Sequence, residues 1–154
     1  MHMLRSLLAL LGLILLVQPA PAQQPLQTFS KGELTIETAS GPKKFTIELA
    51  TTEQQREQGL MYRTRMAADA GMLFIYPGEQ PIAMWMKNTY IPLDMVFIGA
   101  DGTIRNIQER AVPQSLATIA SDGLAKATLE LNGGIVDKLG IKPGDKVIAT
   151  GLNQ

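Results

Sequence analysis

Residues 32–50 read GELTIETASGPKKFTIELA, and their period decides the fold class. Leu34 and Ile36 point one way while Glu33, Thr35 and Glu37 point the other, which is the period of a half-buried strand. Ser40-Gly41-Pro42 is a turn signal. From Lys44 to Ala50 the alternation resumes, with Phe45, Ile47 and Leu49 inward. Two alternating runs joined by a short turn predict a β-hairpin over 32–50.

Downstream, Thr51 or Thr52 can cap a helix, each with a glutamine three residues later at capping-box spacing. That helix is expected over Glu53–Gln58, stopped by Gly59. Arg63 and Arg65 are expected on a surface loop. Gly71–Tyr76 reads as a short apolar strand closed by Pro77-Gly78, and Ile82–Lys87 as another. Asn88–Pro92 reads as a loop, because Asn favours turns and Pro92 holds Ile91 extended. Leu93–Ile98 is almost wholly apolar, as in a strand covered on both faces. Ala100-Asp101-Gly102 turns the chain into a strand over Thr103–Ile107. Residues 108–123 read as irregular, Ala125–Leu131 as a strand and Ile135–Leu139 as a helical turn bounded by Gly134 and Gly140. Pro143-Gly144-Asp145 turns into a last strand over Lys146–Thr150. Seven or eight short strands with one or two short helices predict a mainly β domain, a small β-sandwich or partly closed barrel.

The N-terminus is set apart from that domain. Leu7–Val17 is an apolar run of about eleven residues after Arg5, too short for the ~20 of a spanning helix. Ala20-Pro21-Ala22 follows with small residues suited to cleavage before Gln23. The segment 1–22 therefore reads as a signal peptide, 23–31 as a flexible lead-in and 32–152 as a single β domain. Export to the periplasm or the extracellular space is the corresponding expectation, with no integral membrane span once the signal is removed.

The composition excludes whole classes of chemistry. The chain has no cysteine, and its one histidine, His2, lies in the signal segment. A Ser-His-Asp triad, a thiolate site and an imidazole metal site are ruled out in the mature chain. No Walker loop and no GxGxxG occurs. Arg5 also leaves, so 14 Lys+Arg become 13 against 14 Asp+Glu. That balance gives no electrostatic case for nucleic acid. No cofactor is expected. Carboxylate, lysine, tyrosine or serine chemistry remains, and methionine sulfur is the one soft metal ligand left. Met84 and Met86 share a strand face beside Trp85, an arrangement suited to Cu(I). Methionine on apolar strands is ordinarily core filler, and no metal site is expected.

The densest polar cluster runs from Met84 to Asp94. Strand parity places Met84, Met86 and Asn88 on one face and Trp85 with Lys87 on the other. This segment is either a strand buried on both sides, with the Lys87 stem snorkelling out, or a face open to a ligand with an aromatic platform beside a cation. Asp94 can tie the preceding loop through its amide hydrogens or pair with Lys87 or Arg56 in a groove. Glu130, between Leu129 and Leu131, defaults to the solvent face, and Arg56 defaults to a surface charge.

Met84-Trp85-Met86-Lys87-Asn88-Thr89 followed by Ile91-Pro92-Leu93-Asp94 resembles a widespread prokaryotic family known as domain of unknown function 192. Arg56 with Gly59-Leu60-Met61 and Arg63, Gly71-Met72-Leu73-Phe74, Asp101-Gly102, Leu129-Glu130-Leu131 with Gly134, and Gly140-Ile141-Lys142-Pro143-Gly144-Asp145 follow the same pattern in order. The resemblance spans roughly residues 33–150. Family members often carry phenylalanine where this chain has Met84, which weakens the copper idea. The resemblance implies a compact β domain, often exported, and imports no activity.

Together these readings favour an exported binding module for an unknown small molecule or envelope partner. Its pocket would be lined by Arg56, Trp85, Lys87, Asn88, Asp94 and Glu130. The alternative is a small hydrolase or lyase using Glu130 or Asp94 as acid/base, with Lys87 or Arg56 holding an anion. A structural domain docking a partner on an exposed apolar patch is a third class.

Overall fold

The computed structural model describes residues 25–152, so the expected signal segment 1–22 lies outside the described residues. Seven strands and two short helices follow in the order β1 (Ser30–Thr38), β2 (Gly41–Ala50), α1 (Glu53–Gln58), β3 (Ala70–Met84), β4 (Leu93–Ile98), β5 (Ile104–Ala111), β6 (Ile119–Asn132), α2 (Ile135–Leu139) and β7 (Lys146–Ala149). The strands form one mixed sheet in the order β5-β4-β6-β3-β2-β1-β7. It curls so far that its two edges touch. Thr103 bridges Lys146, and the Val147 amide donates to Gly102 O at 2.8 Å. Gly102, at φ 77°, brings its backbone so close that an added Cβ would lie 2.7 Å from Val147 O. The expected mainly β class is what the chain adopts, as a half-barrel rather than two separate sheets.

The hairpin over 32–50 forms with β1 and β2 antiparallel, Thr38 opposite Gly41. Thr52 is the N-cap of α1, and both arms of the capping box to Gln55 are made. This short helix is the crossover that lets β2 and β3 run parallel. The lead-in at residues 25–29 lies against it. Gln27 N donates to Gln58 Oε1 at 2.7 Å, and Gln55 Nε2 donates to Thr28 O at 2.8 Å.

Three boundaries depart from the sequence reading. Pro77-Gly78 does not end a strand. It sits in a bulge of β3, where pairing with β6 jumps from Ile75–Ala127 to Gln80–Ala125. Proline cannot donate to a ladder, and the bulge frees its position from having to. Much of 108–123, expected to be irregular, is strand: 108–111 continue β5 along β4, and 119–123 open β6 against Pro81–Met84. At the other end, β3 stops at Met84, so Trp85–Lys87 are not strand. The Met86 amide turns away to Ser115 O at 3.0 Å, and the Thr89 amide closes a turn on Met86 O at 3.1 Å.

Both faces of the sheet are covered. One buries Leu34, Ile36, Phe45, Ile47, Val96, Ile98, Leu129 and Leu131 inside the curl, capped by Val136 and Ile141. The other buries Met72, Phe74, Ile82, Leu93, Met95 and Phe97 together with Leu60 and Met86. All six residues of β4 are buried, as its apolar run predicts. No helix among the described residues is long and apolar enough to cross a membrane.

Candidate functional site

A depression of about 870 Å3 opens over the second face of the sheet between α1, the start of the 85–92 loop and the outer part of β3. Five of the six expected site residues line it: Arg56, Trp85, Lys87, Asn88 and Glu130.

Asp94 does not join them. Strand parity puts Leu93, Met95 and Phe97 on the cleft face and Asp94 on the opposite one. There Asp94 is wholly buried. Its Oδ1 accepts from Arg110 N at 2.8 Å and from Gly134 N at 2.9 Å, and its Oδ2 accepts from Val136 N at 2.9 Å. It holds the end of β5 and the start of α2 to the sheet, so it neither lines the groove nor ties the 88–92 loop as expected.

Glu130 corrects the second expectation. Alternation does set it against Leu129 and Leu131, but the face it reaches is not solvent. Met72 on β3 and Met95 on β4 flank it across the sheet, and it is 4% exposed. Burial alone pushes its carboxyl up to about 8, with no hydrogen bond or cation opposing the shift. Two residues along the same face, Thr128 lies between Phe74 and Phe97 with a buried hydroxyl that has no hydrogen-bond partner. The cleft floor thus holds the Glu130 carboxyl in an apolar setting, and Thr128 is the buried side-chain group left without a partner among the described residues, where native proteins pair nearly all such groups.

Arg56 is half-buried and fixed from several sides. Its Nη1 donates to Thr51 O at 2.7 Å and to Ile75 O at 3.0 Å, and the guanidinium lies 5.1 Å from the centre of the Tyr76 ring. The Tyr76 hydroxyl donates to Met84 Sδ at 3.5 Å. Burial raises its phenol pKa, Arg56 opposes that, and Glu130 adds to it. Arg56, Tyr76 and Glu130 therefore share one electrostatic neighbourhood.

The motif loop supplies the other wall. Met86 is buried, while Trp85 is 49% exposed and carries the Lys87 ammonium 4.9 Å from its ring centre. The reading of a strand buried on both sides fails for Trp85, and the aromatic-beside-cation arrangement is the one present. Asn88 adopts φ 53°, and its Nδ2 donates to the Tyr62 hydroxyl at 3.2 Å. Among the described residues, four other than glycine have positive φ: Tyr62, Asn88, Arg110 and Gln114. Backbone bonds link three of them into one loop cluster, with Tyr62 N donating to Asn88 O at 2.9 Å and Gln114 N to Thr89 O at 3.0 Å. Strained backbone of this kind gathers at ligand sites.

The sequence reading missed Tyr62, Tyr76 and Thr128. Thr128 had a signal, since it shares strand parity with Glu130. Tyr62 falls inside a motif segment, between Met61 and Arg63. Tyr76 had none, because its ring reaches Arg56 only through the β2–α1–β3 crossover.

A crystal structure from Sinorhizobium meliloti 1021, of a protein described as a candidate transcription regulator, matches with TM-score 0.79 and 51% identity, covering 82% of this chain and 99% of that one. A protein of unknown function from Novosphingobium aromaticivorans DSM 12444 matches with TM-score 0.78 and 40% identity, covering 84% of this chain and 92% of that one. No curated protein matches. The model of the family described as Uncharacterized ACR, COG1430, domain of unknown function 192, matches residues 34–149, and the chain belongs to that family.

Proposed function

We propose that this protein is an exported binding module that takes a small molecule in the cleft over β3 and β6. One observation carries the reading: Arg56, Trp85, Lys87, Asn88 and Glu130, spread from residue 56 to residue 130, line a single concave site. A pocket with apolar walls and a few convergent polar groups is the ordinary form of a small-molecule site. The test is native mass spectrometry of protein recovered from its own cells. An adduct on the wild type that is lost in Lys87→Ala is the expected result. Bare polypeptide mass throughout counts against the reading.

Lys87 makes the cleanest variant. Its side chain is exposed and its charged end lies over the Trp85 ring. Lys87→Ala is expected to leave unfolding free energy within ~0.5 kcal/mol of wild type while weakening ligand retention. A clear drop in thermal stability would recast Lys87 as structural.

Export rests on the Leu7–Val17 run and Ala20-Pro21-Ala22. N-terminal sequencing of the native protein is expected to start at or near Gln23. A cytoplasmic chain starting at Met1 or Met3 would refute it. The regulator description of the Sinorhizobium relative is not adopted. From Gln23 onward, 13 Lys+Arg face 14 Asp+Glu, leaving no basic surplus to neutralise phosphates.

A second reading has one specific support. Glu130 is a buried acid with a raised pKa, and Glu53 and Glu57 line the same cleft. A buried acid with further carboxyl groups in the same site suits acid/base hydrolysis or elimination. Turnover that Glu130→Gln abolishes, with binding retained, would establish that reading.

A further inference from the structure

The chemistry of the cleft narrows the ligand class, an inference that rests on the binding reading above. Charge comes first. The charged side chains lining the cleft are Arg56 and Lys87 against Glu53 and Glu57, with Glu130 on the floor. Two cations balance two carboxylates, and Glu130 is mostly uncharged at neutral pH. Among the described residues neither Arg56 nor Lys87 joins an ion pair, while Arg63, Arg105, Arg110 and Lys146 all do. Both cations instead lie over aromatic rings. Such a site has many directed donors and acceptors but no net charge to select an ion.

The apolar side of the cleft comes second. Trp85 stands half-exposed at the rim, Phe74 and Tyr76 line the wall, and Tyr62 lies exposed beside Asn88. An exposed aromatic face costs free energy unless something flat and weakly polar covers it. The floor adds the Glu130 carboxyl, which can donate and accept, set between Met72 and Met95. The ligand must therefore combine hydroxyl-like groups with a face of C–H bonds, and carry no strong charge. Sugar rings have that combination. The cleft, at about 870 Å3, lies toward the top of the 300–1,000 Å3 range for small-molecule pockets, so more than one ring fits.

We propose that the cleft binds a neutral saccharide chain, one ring stacked at Trp85 and a neighbouring ring hydrogen-bonded to the Glu130 carboxyl.

The chain has a single tryptophan, so Trp85 emission reports on this cleft alone. The purified protein is titrated to millimolar levels with cellotetraose, chitotetraose and maltotetraose, and in parallel with succinate, benzoate and lysine. A saturable emission change with at least one saccharide, none with the three charged probes, and about tenfold weaker binding in Glu130→Leu, the scale of one lost hydrogen bond, is the expected result. Because Glu130→Leu keeps most of the volume and removes both oxygens, circular dichroism at the same pH checks that it folds. A response to the charged probes alone overturns the saccharide and leaves the binding reading standing. A saccharide response that Glu130→Leu does not change overturns the assignment of Glu130. Silence from every probe overturns the saccharide, and bare masses in the native spectrum then remove the binding reading as well.

Discussion

Asp94→Ala will lower the free energy of unfolding by about 3–4 kcal/mol, the largest loss expected from any single polar side chain here. The carboxylate is wholly buried and accepts from three backbone amides, those of Arg110, Gly134 and Val136, all at 2.8–2.9 Å. Each buried amide left without an acceptor costs about 1–3 kcal/mol, and partial relaxation keeps the sum below three full penalties. Two structural joins fail together. Gly134 is the N-cap of α2 and has no side chain to cap with, so Asp94 supplies the missing acceptor from another element. Arg110 sits at φ 47° at the end of β5, a conformation that depends on its surroundings to hold it.

Urea unfolding measures the loss, and hydrogen exchange localises it. In Asp94→Ala the amides of Arg110, Gly134 and Val136 are expected to exchange far faster, with those of β1 and β2 changing only as global stability falls. Ligand retention at the cleft should survive under conditions where the variant stays folded, because Asp94 lies on the other face of the sheet. A variant with wild-type stability, or one with intact stability but an empty cleft, would return Asp94 to the binding site.

How far the sequence carried the fold depended on which signal each segment had. The hairpin over 32–50, the capped helix and the doubly covered β4 were legible because period, cap chemistry and apolar runs are local. The long β3 was not. Pro77-Gly78 is a turn signal by composition, and only pairing with β6 turns it into a bulge. Residues 119–124 lack alternation and become strand because Pro81–Met84 offer them a partner. The site shows the same division. Of the 87–94 motif, Lys87, Asn88 and Thr89 line the cleft, while Asp94, inside β4, faces the other side of the sheet. Glu130 was misjudged for a related reason. Alternation says which residues share a face but not whether water or a second layer covers it. The all-apolar β4 implied such a layer, and β6 is its neighbour in the sheet.

Stability will fall as pH rises from about 4.5 to 8, and Glu130→Gln will abolish that component. The Glu130 carboxyl is raised from 4.5 to about 8 by burial. Between those values the folded protein holds a proton that the unfolded chain has released. Stability from this group is therefore fully present below 4.5, declines through the window by up to about 1.4 kcal/mol per pH unit, and is flat above about 8. The whole span is on the order of 5 kcal/mol, a large share of the 5–15 kcal/mol of a typical domain. Glutamine keeps the size and shape but cannot ionise, so it removes the slope rather than a contact. The comparison to make is urea unfolding of both proteins at pH 5 and at pH 8. The variant should gain on the wild type by several kcal/mol between the two. Other carboxylates titrate equally in both proteins and cancel in the difference. Parallel profiles would mean that the ionised carboxylate finds a partner, and water or Arg56 reaching it would be the first place to look. An acid set between Met72 and Met95 destabilises the fold at neutral pH, a leucine there would not, and this acid lines the cleft. Binding at the cleft should therefore recover part of the loss, with the ligand's stabilisation of the folded state larger in the wild type than in Glu130→Leu.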